Sequence, residues 1–370
     1  VNSLHYLNGL ISDSVNTNLT LTNDFRYNGG YDTEYVSGIL INKTNFVLDG
    51  ANHVIDAGEM NRIFNITASN VTLKNIKFTN ARSSHGAAVY ATGDNLTIIN
   101  CTFEDNKATI EAAAVYLKAA NGHIYNSTFI NNSAKYSGAV LINSVNASVE
   151  GSNFIKNTAE ISAGAIGWAS KDNGTIKNCI FAENSAFNEG GGAIFWNTAN
   201  NSKILNSTFH NNYANFNGSA VFWSALGGII SGSNFLDNRA NVSGGALFIK
   251  GGNKTIEKSL FRNNSASTGG AVHGLNASLK VLNSYFANNT AEFYAGALRV
   301  DSGSATIDNV IFENNAGESG AAIYINELNN GIISNSIFAN NSAQATGGAL
   351  ESSESDNLML NNTTFIANKA

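Results

Sequence analysis

The chain has 370 residues, 43% hydrophobic and 13% charged, with a net charge of −6, 60 Asn, 35 Gly and no Pro. The apolar content suffices for a packed core. Charge is about half the usual globular share of roughly 25% and forms no acidic or basic tail, which argues against a nucleic-acid groove. No run of about 18 apolar residues occurs, so a transmembrane helix is excluded.

Residues 1–40 lack any repeat and carry Phe25, Tyr27, Tyr31, Tyr35 and the turn-like Asn28-Gly29-Gly30. They read as an N-terminal cap, because a stacked sheet needs its open end covered. Residues 41–370 are periodic. Phe followed three residues later by Asn recurs at Phe103, Phe129, Phe154, Phe181, Phe209, Phe235, Phe261, Phe286, Phe312, Phe338 and Phe365, with Phe78 a degenerate member and spacings of 25 to 28. A small-residue cluster then leads into an aliphatic, as in Gly191-Gly192-Ala193-Ile194 and Gly244-Gly245-Ala246-Leu247. Ala112-Ala113-Ala114 and Gly218-Ser219-Ala220 depart from the pattern but keep its size.

Leucine-rich repeats need a Leu lattice that is missing, and helical repeats need longer 3.6-residue periodicity than the Gly, Asn and Ser clusters permit. Three short strands per unit remain. They predict an all-β, right-handed parallel β-helix of about 12–14 coils of roughly 26 residues, with coils stacked ~4.8 Å apart. Stacking puts like residues above one another, so Asn at the corners can bond to Asn in the next coil and Phe fills the interior. Pro is absent because each central strand needs its N–H. The sequence stops mid-coil at Phe365-Ile366-Ala367-Asn368-Lys369-Ala370, and the repeat predicts that the natural protein continues.

The paired Phe-x-x-Asn and Gly-Gly-Ala-(Ile/Leu/Val) elements resemble the repeat of chlamydial polymorphic membrane proteins. The segment Val47-Leu48-Asp49-Gly50-Ala51-Asn52-His53-Val54-Ile55-Asp56-Ala57, followed by Ile63-Phe64-Asn65-Ile66 and Val71-Thr72-Leu73-Lys74-Asn75-Ile76, is more similar to adhesin-like proteins of methanogenic archaea. The resemblance implies a secreted, extracellular cell-surface β-helix. It predicts an adhesin or rigid stalk presenting one face to a protein or glycan of another cell. A carbohydrate-active enzyme or glycan-binding domain on the same coil is the rival, and a purely structural spacer a third reading.

An enzyme would need converging carboxylates, with a basic residue for a lyase or a groove between the pair for a hydrolase. The adjacent-coil pair Glu292/Glu318 has no Lys or Arg at its register, and Glu104-Asp105 and Asp49/Asp56 read as local pairs with no basic partner. The six His residues fall at different registers, so no metal, cofactor or catalytic group is expected. Asn-x-Ser/Thr sequons such as Asn18, Asn126 and Asn241 are attributed mostly to the Asn-rich composition.

Cys101 and Cys179 lie three coils apart at equivalent positions, roughly 14 Å at ~4.8 Å per coil, and are expected to be reduced and inward-facing. Trp168, Trp196 and Trp223 share a register with Leu117, Ile142 and Ile249, which predicts core positions. The residue before each points outward by strand alternation. That ladder includes Tyr90, Tyr116, Phe195, Phe222, Phe248, His273, Arg299 and Tyr324, and is the predicted ligand-binding stripe, the alternative being that its cross-strand aromatic pairs simply stabilise the sheet. Turn aromatics Tyr136, Phe187, Phe216, Phe293 and Tyr294 are a second candidate surface.

Overall fold

The protein is described by a computed structural model covering residues 2–15, 17–169, 171–197 and 200–370. It is an all-β, right-handed parallel β-solenoid of about 13 turns, each of roughly 26 residues. Its contacts divide it into two compact units, Val1–Ile180 and Phe181–Ala370. Among the described residues no helix is long and apolar enough to cross a membrane.

The first unit opens with an α-helix, Leu4–Asp13, whose Leu4, Leu7 and Ile11 are buried. Its N-terminus is held twice. Ser3 Oγ accepts from Tyr6 N, and the buried Asp32 carboxylate accepts from the N–H groups of Leu4 and His5 at 3.1 and 2.7 Å. An acidic group here satisfies first-turn donors and matches the positive end of the helix dipole. Residues 18–20 already pair in parallel with residues 47–49, so strands appear within the first 40 residues.

Each later coil contributes to three faces. In the first unit the Phe-bearing face runs through Lys77–Thr79, Thr102–Glu104, Thr128–Ile130 and Asn153–Ile155, with Phe78, Phe103, Phe129 and Phe154 in register. In the second unit, Phe209, Phe235, Phe261, Phe286, Phe312, Phe338 and Phe365 align in the same way. Adjacent rings lie near-parallel, 4.6 Å apart at Phe129–Phe154 and 5.1 Å apart at Phe286–Phe312, close to the strand spacing itself. A second, broad face carries Val89–Ala91, Val115–Leu117, Val140–Ile142 and Ile166–Trp168 in the first unit and Ile194–Asn197, Val221–Ser224, Leu247–Lys250 and Val272–Leu275 in the second, and Trp168, Trp196 and Trp223 on it are buried as expected. Both cysteines are buried, and burial pushes the Cys101 thiol pKa up to about 12 and that of Cys179 to about 11.

Asn forms ladders of two kinds, exposed at the corners and buried in the interior. At one exposed corner of the first unit Asn45, Asn70, Asn95, Asn121, Asn146 and Asn173 all have positive φ, between 54° and 63°, and the amide of each from Asn70 onward donates to the Asn one coil below. Asn is the non-Gly residue that tolerates this conformation best, because its short amide can bond locally. The second kind is buried and is formed by the Asn of the Phe-x-x-Asn repeat. In the second unit Asn238 Nδ2 donates to Asn264 Oδ1 (3.0 Å) and to the Phe209 carbonyl (2.9 Å), while its Oδ1 accepts from both Asn212 N and Asn212 Nδ2. Asn264, Asn289 and Asn315 repeat the arrangement. Each buried amide is thus fully satisfied, which removes the desolvation cost of an interior polar group.

The small cluster has a division of labour. Gly244 sits at φ +61, and a Cβ on Gly245 would lie 1.9 Å from the Gly270 carbonyl oxygen, so the coils approach too closely there for a side chain. Ala246 is buried in the core. Where Ala112 replaces the first Gly it still adopts φ +56, at a strain of about 1–2 kcal/mol. Ser219, replacing the second, donates its hydroxyl to the Gly245 carbonyl.

Asn238→Ala should therefore cost about 2–5 kcal/mol, because it leaves one N–H of the Asn212 side-chain amide and the Asn212 backbone N–H without their acceptor together. Asn263→Ala removes an exposed corner amide at φ +57 that donates to Asp237, and should cost about 1 kcal/mol. Chemical denaturation of the two variants checks this, and equal losses would contradict the distinction between the ladders.

Candidate functional site

The outward ladder of the broad face is the place where chemistry-bearing side chains gather. Strand alternation sets its direction, but a ridge formed by the turn before each small cluster folds over part of it. In the first unit Tyr90 and Tyr116 meet edge to face at 5.3 Å, and Arg62 lies 4.9 Å over Tyr90. The Arg62 guanidinium donates to the carbonyls of Ser37, His85 and Gly86 and to Ser83 Oγ, so its donors are engaged in tying the ridge together.

In the second unit Phe195, Phe222 and Phe248 form a continuous stack, with ring separations of 4.6 and 5.2 Å. Phe195 and Phe222 are half-buried and Phe248 is buried. His273 continues the series, edge-on to Phe248 at 5.2 Å, and is itself only 6% exposed. The ladder then passes to Arg299 and Tyr324, aligned in register with His273.

His273 is held at both nitrogens. Its Nε2 lies 2.9 Å from Asp301 Oδ2, and its Nδ1 lies 3.0 Å from Ser243 Oγ, which is in turn 3.0 Å from Thr268 Oγ1. Burial pushes the His273 pKa below its ordinary value despite the neighbouring carboxylate. The neutral ring then carries its proton on Nε2, donated to Asp301, and accepts the Ser243 hydroxyl at Nδ1. Burial alone would raise the Asp301 pKa, but His273 and Arg299 outweigh it and hold the carboxyl below its usual range.

Arg299 Nε donates to the same Asp301 Oδ2 at 2.8 Å, and its guanidinium lies 5.0 Å over Tyr294 and 5.6 Å over Tyr324. Tyr294 belongs to the ridge, its ring 4.6 Å from that of Tyr324. The ridge also displays Phe187, Phe216 and Phe293 at 46, 43 and 42% exposure, with Tyr294 at 37%. Tyr136, in the first unit, is half-buried.

Within the first unit Tyr90 and Tyr116 of the predicted stripe are in register, and within the second Phe195, Phe222, Phe248, His273, Arg299 and Tyr324 are. The structure brings His273, Arg299 and Tyr324 into one cluster and leaves Tyr90 and Tyr116 in the other unit. Asp301, Ser243 and Thr268 were not anticipated. Asp301 had a signal: it lies two residues beyond Arg299 on a strand, hence on the same face.

The acidic pairs also need correction, because three of their carboxylates do meet basic residues across coils. Lys77 pairs with Glu104, Lys74 with Asp49 at 3.2 Å, and Arg26 with Asp56 at 3.2 Å. These are single, partly solvated ion pairs, worth about 0–1 kcal/mol each. No group of three His, Cys, Asp or Glu that could hold a metal occurs among the described residues.

A His that is neutral when folded but protonates readily when unfolded stabilises the fold fully above the unfolded pKa and loses that contribution as pH falls through the folded one. Asp301, also depressed, acts in the same direction at lower pH. The melting temperature should accordingly fall on acidification from pH 7 through the range below 6.5. His273→Phe, which extends the aromatic stack, should flatten the first part of that fall while lowering stability at pH 7, since Asp301 and Ser243 lose a partner. Parallel pH profiles for wild type and variant would contradict the assignment.

No curated protein matches the sequence. Among solved structures, the A-module of the Azotobacter vinelandii mannuronan C-5 epimerase AlgE6 is similar over 99% of this chain and 94% of its own, at 12% identity and a TM-score of 0.53. An alginate lyase complex, AlyF-OU02 with G6, matches over 92% and 89% at 13% identity and a TM-score of 0.46. The catalytic domain of a GH87 α-1,3-glucanase matches over 97% and 66% at 12% identity and a TM-score of 0.49. Likeness at such identity concerns the fold alone. A family model described as "Right handed beta helix region" matches residues 137–296 and 219–370, together more than half of the sequence. The chain belongs to that right-handed β-helix family.

Proposed function

We propose that the protein is a glycan-recognising β-helix of the adhesin type, extracellular and displayed at a cell surface, whose contact surface is the aromatic ridge of the second unit with the adjoining ladder. In this reading residues 1–40 close one end of the coil and residues 41–370 form the recognition body. The observation that carries the proposal is the exposure of Phe216, Phe293 and Tyr294 on one ridge, beside a guanidinium fixed against Tyr294 and Tyr324. Aromatic rings held by a rigid backbone lose little conformational entropy on contact, and apolar patches of this kind mark binding surfaces.

A carbohydrate-active enzyme is the second reading, favoured by the Ser243–His273–Asp301 series of hydrogen bonds. The same geometry weighs against it. Ser243 and His273 are each 6% exposed, and both imidazole nitrogens already have partners, so neither group is positioned to exchange a proton with a polymer on the surface.

Phe216→Ser with Phe293→Ser removes two exposed rings and should leave the melting temperature within about 2 °C. It should weaken binding to a panel of immobilised glycans by about tenfold or more, at about 0.5–1.5 kcal/mol per lost ring contact. The stacked triple variant Phe195→Ser, Phe222→Ser and Phe248→Ser should instead lower the melting temperature markedly. Unchanged glycan binding by the ridge variant would remove the ridge from the account.

A further inference from the structure

Arg299 is half committed. Only its Nε donates to Asp301, in a single-point contact at 2.8 Å, and among the described residues no protein acceptor meets its two terminal nitrogens. Its side chain retains 18% exposure. Asp301 cannot take the rest of the fork, because Oδ2 receives both His273 and Arg299 while Oδ1 is buried with no donor within hydrogen-bond reach. The guanidinium is therefore held in place from behind by Asp301 and flanked by Tyr294 and Tyr324, with its paired N–H edge left over. A planar fork of this kind is complementary to a carboxylate, which it can bind through two parallel hydrogen bonds.

We infer that the glycan recognised by the second unit carries carboxylate groups, as in a uronic-acid-containing oligosaccharide, and that Arg299 binds one of them while neighbouring sugars lie along the ridge aromatics. The inference rests on the glycan-binding reading above. The surroundings narrow the ligand further. Glu318 is exposed on the same ridge, Glu292 receives the Ser267 hydroxyl, and Glu351 follows Tyr324 in register along the ladder. One positive fork among these carboxylates suits isolated, spaced uronates and disfavours a densely sulfated chain, because like charges in the partner would be repelled.

The test uses calorimetric titration of the full chain with three probes: oligogalacturonate, the same oligosaccharide with its carboxyl groups reduced to alcohols, and a heparin oligosaccharide. Oligogalacturonate should bind at least tenfold more tightly than its reduced form, and heparin more weakly than oligogalacturonate. Arg299→Lys keeps the charge but loses the fork, and should remove most of the preference for the carboxylate form. Phe216→Ser with Phe293→Ser should weaken both forms by a similar factor. Equal binding of native and reduced oligosaccharide, still weakened by the ridge variant, would overturn the carboxylate inference and leave glycan recognition standing. Tighter binding of heparin would overturn it in favour of general anion attraction. Absence of binding by every oligosaccharide would overturn both readings. The comparison of native and reduced probe on wild-type protein needs no variant, so a folding defect in Arg299→Lys cannot obscure it.

Discussion

Vertical register between coils is the constraint from which the rest of the molecule follows. Parallel strands at about 4.8 Å place each residue over its counterpart one coil away, so a side chain is admitted only if it stacks well on its own kind. Phe does so through parallel rings, Ala and Gly through close backbone approach, and Asn through a head-to-tail amide chain. The buried Asn is the most demanding of these. It places a polar amide in the interior of each Phe-x-x-Asn coil, and only alignment with the next Asn and with the Phe carbonyl before it supplies all its partners. A slip of one residue would orphan the whole series, whereas slipped aliphatic ladders would retain much of their burial. Apolar stacking supplies the driving force, and the amide chain selects the register.

Much of this was legible from the residues alone, because stacking turns periodicity directly into geometry. The Phe-x-x-Asn spacing gave coil length, and the shared register of Trp168, Trp196 and Trp223 with Leu117 and Ile249 gave the inward direction. What escaped was lateral rather than vertical. The helix Leu4–Asp13 carries apolar residues at Leu4, Leu7 and Ile11 and a capping Ser3, yet it is one turn-rich segment in a β-repeat chain, and its anchor Asp32 is distant in sequence. The Lys77–Glu104 ion pair escaped because it is diagonal: Lys77 aligns with Thr102, and only its long stem reaches the carboxylate two residues on.

The candidate site shows the same limit. Alternation correctly gave the outward direction of Phe248 and His273 but not their cover, because the ridge that buries His273 comes from the preceding coil through Ser243. A ladder position is thus exposed or buried according to what the neighbouring turn carries. Where the turn offers Ser243, the outward His is enclosed and hydrogen-bonded. Where it offers Tyr294, the aromatic ring itself comes to the surface and Arg299 is held against it. A regular scaffold acquires a local site in this way, by substitution in two adjacent rows, without any change in the coil.

Native-state amide hydrogen exchange tests the central claim most directly, because the backbone N–H of each buried Asn bonds to a side-chain oxygen of the next coil rather than to backbone. If the amide chain locks the register, the N–H groups of Asn212, Asn238, Asn264 and Asn289 should be slowed about 10³-fold or more, like those of the adjoining Phe strands, and should open only with the coils around them. Exchange of these four at the rate of an open loop, with the strands still protected, would show that the ladder is carried by the sheets and does not hold them.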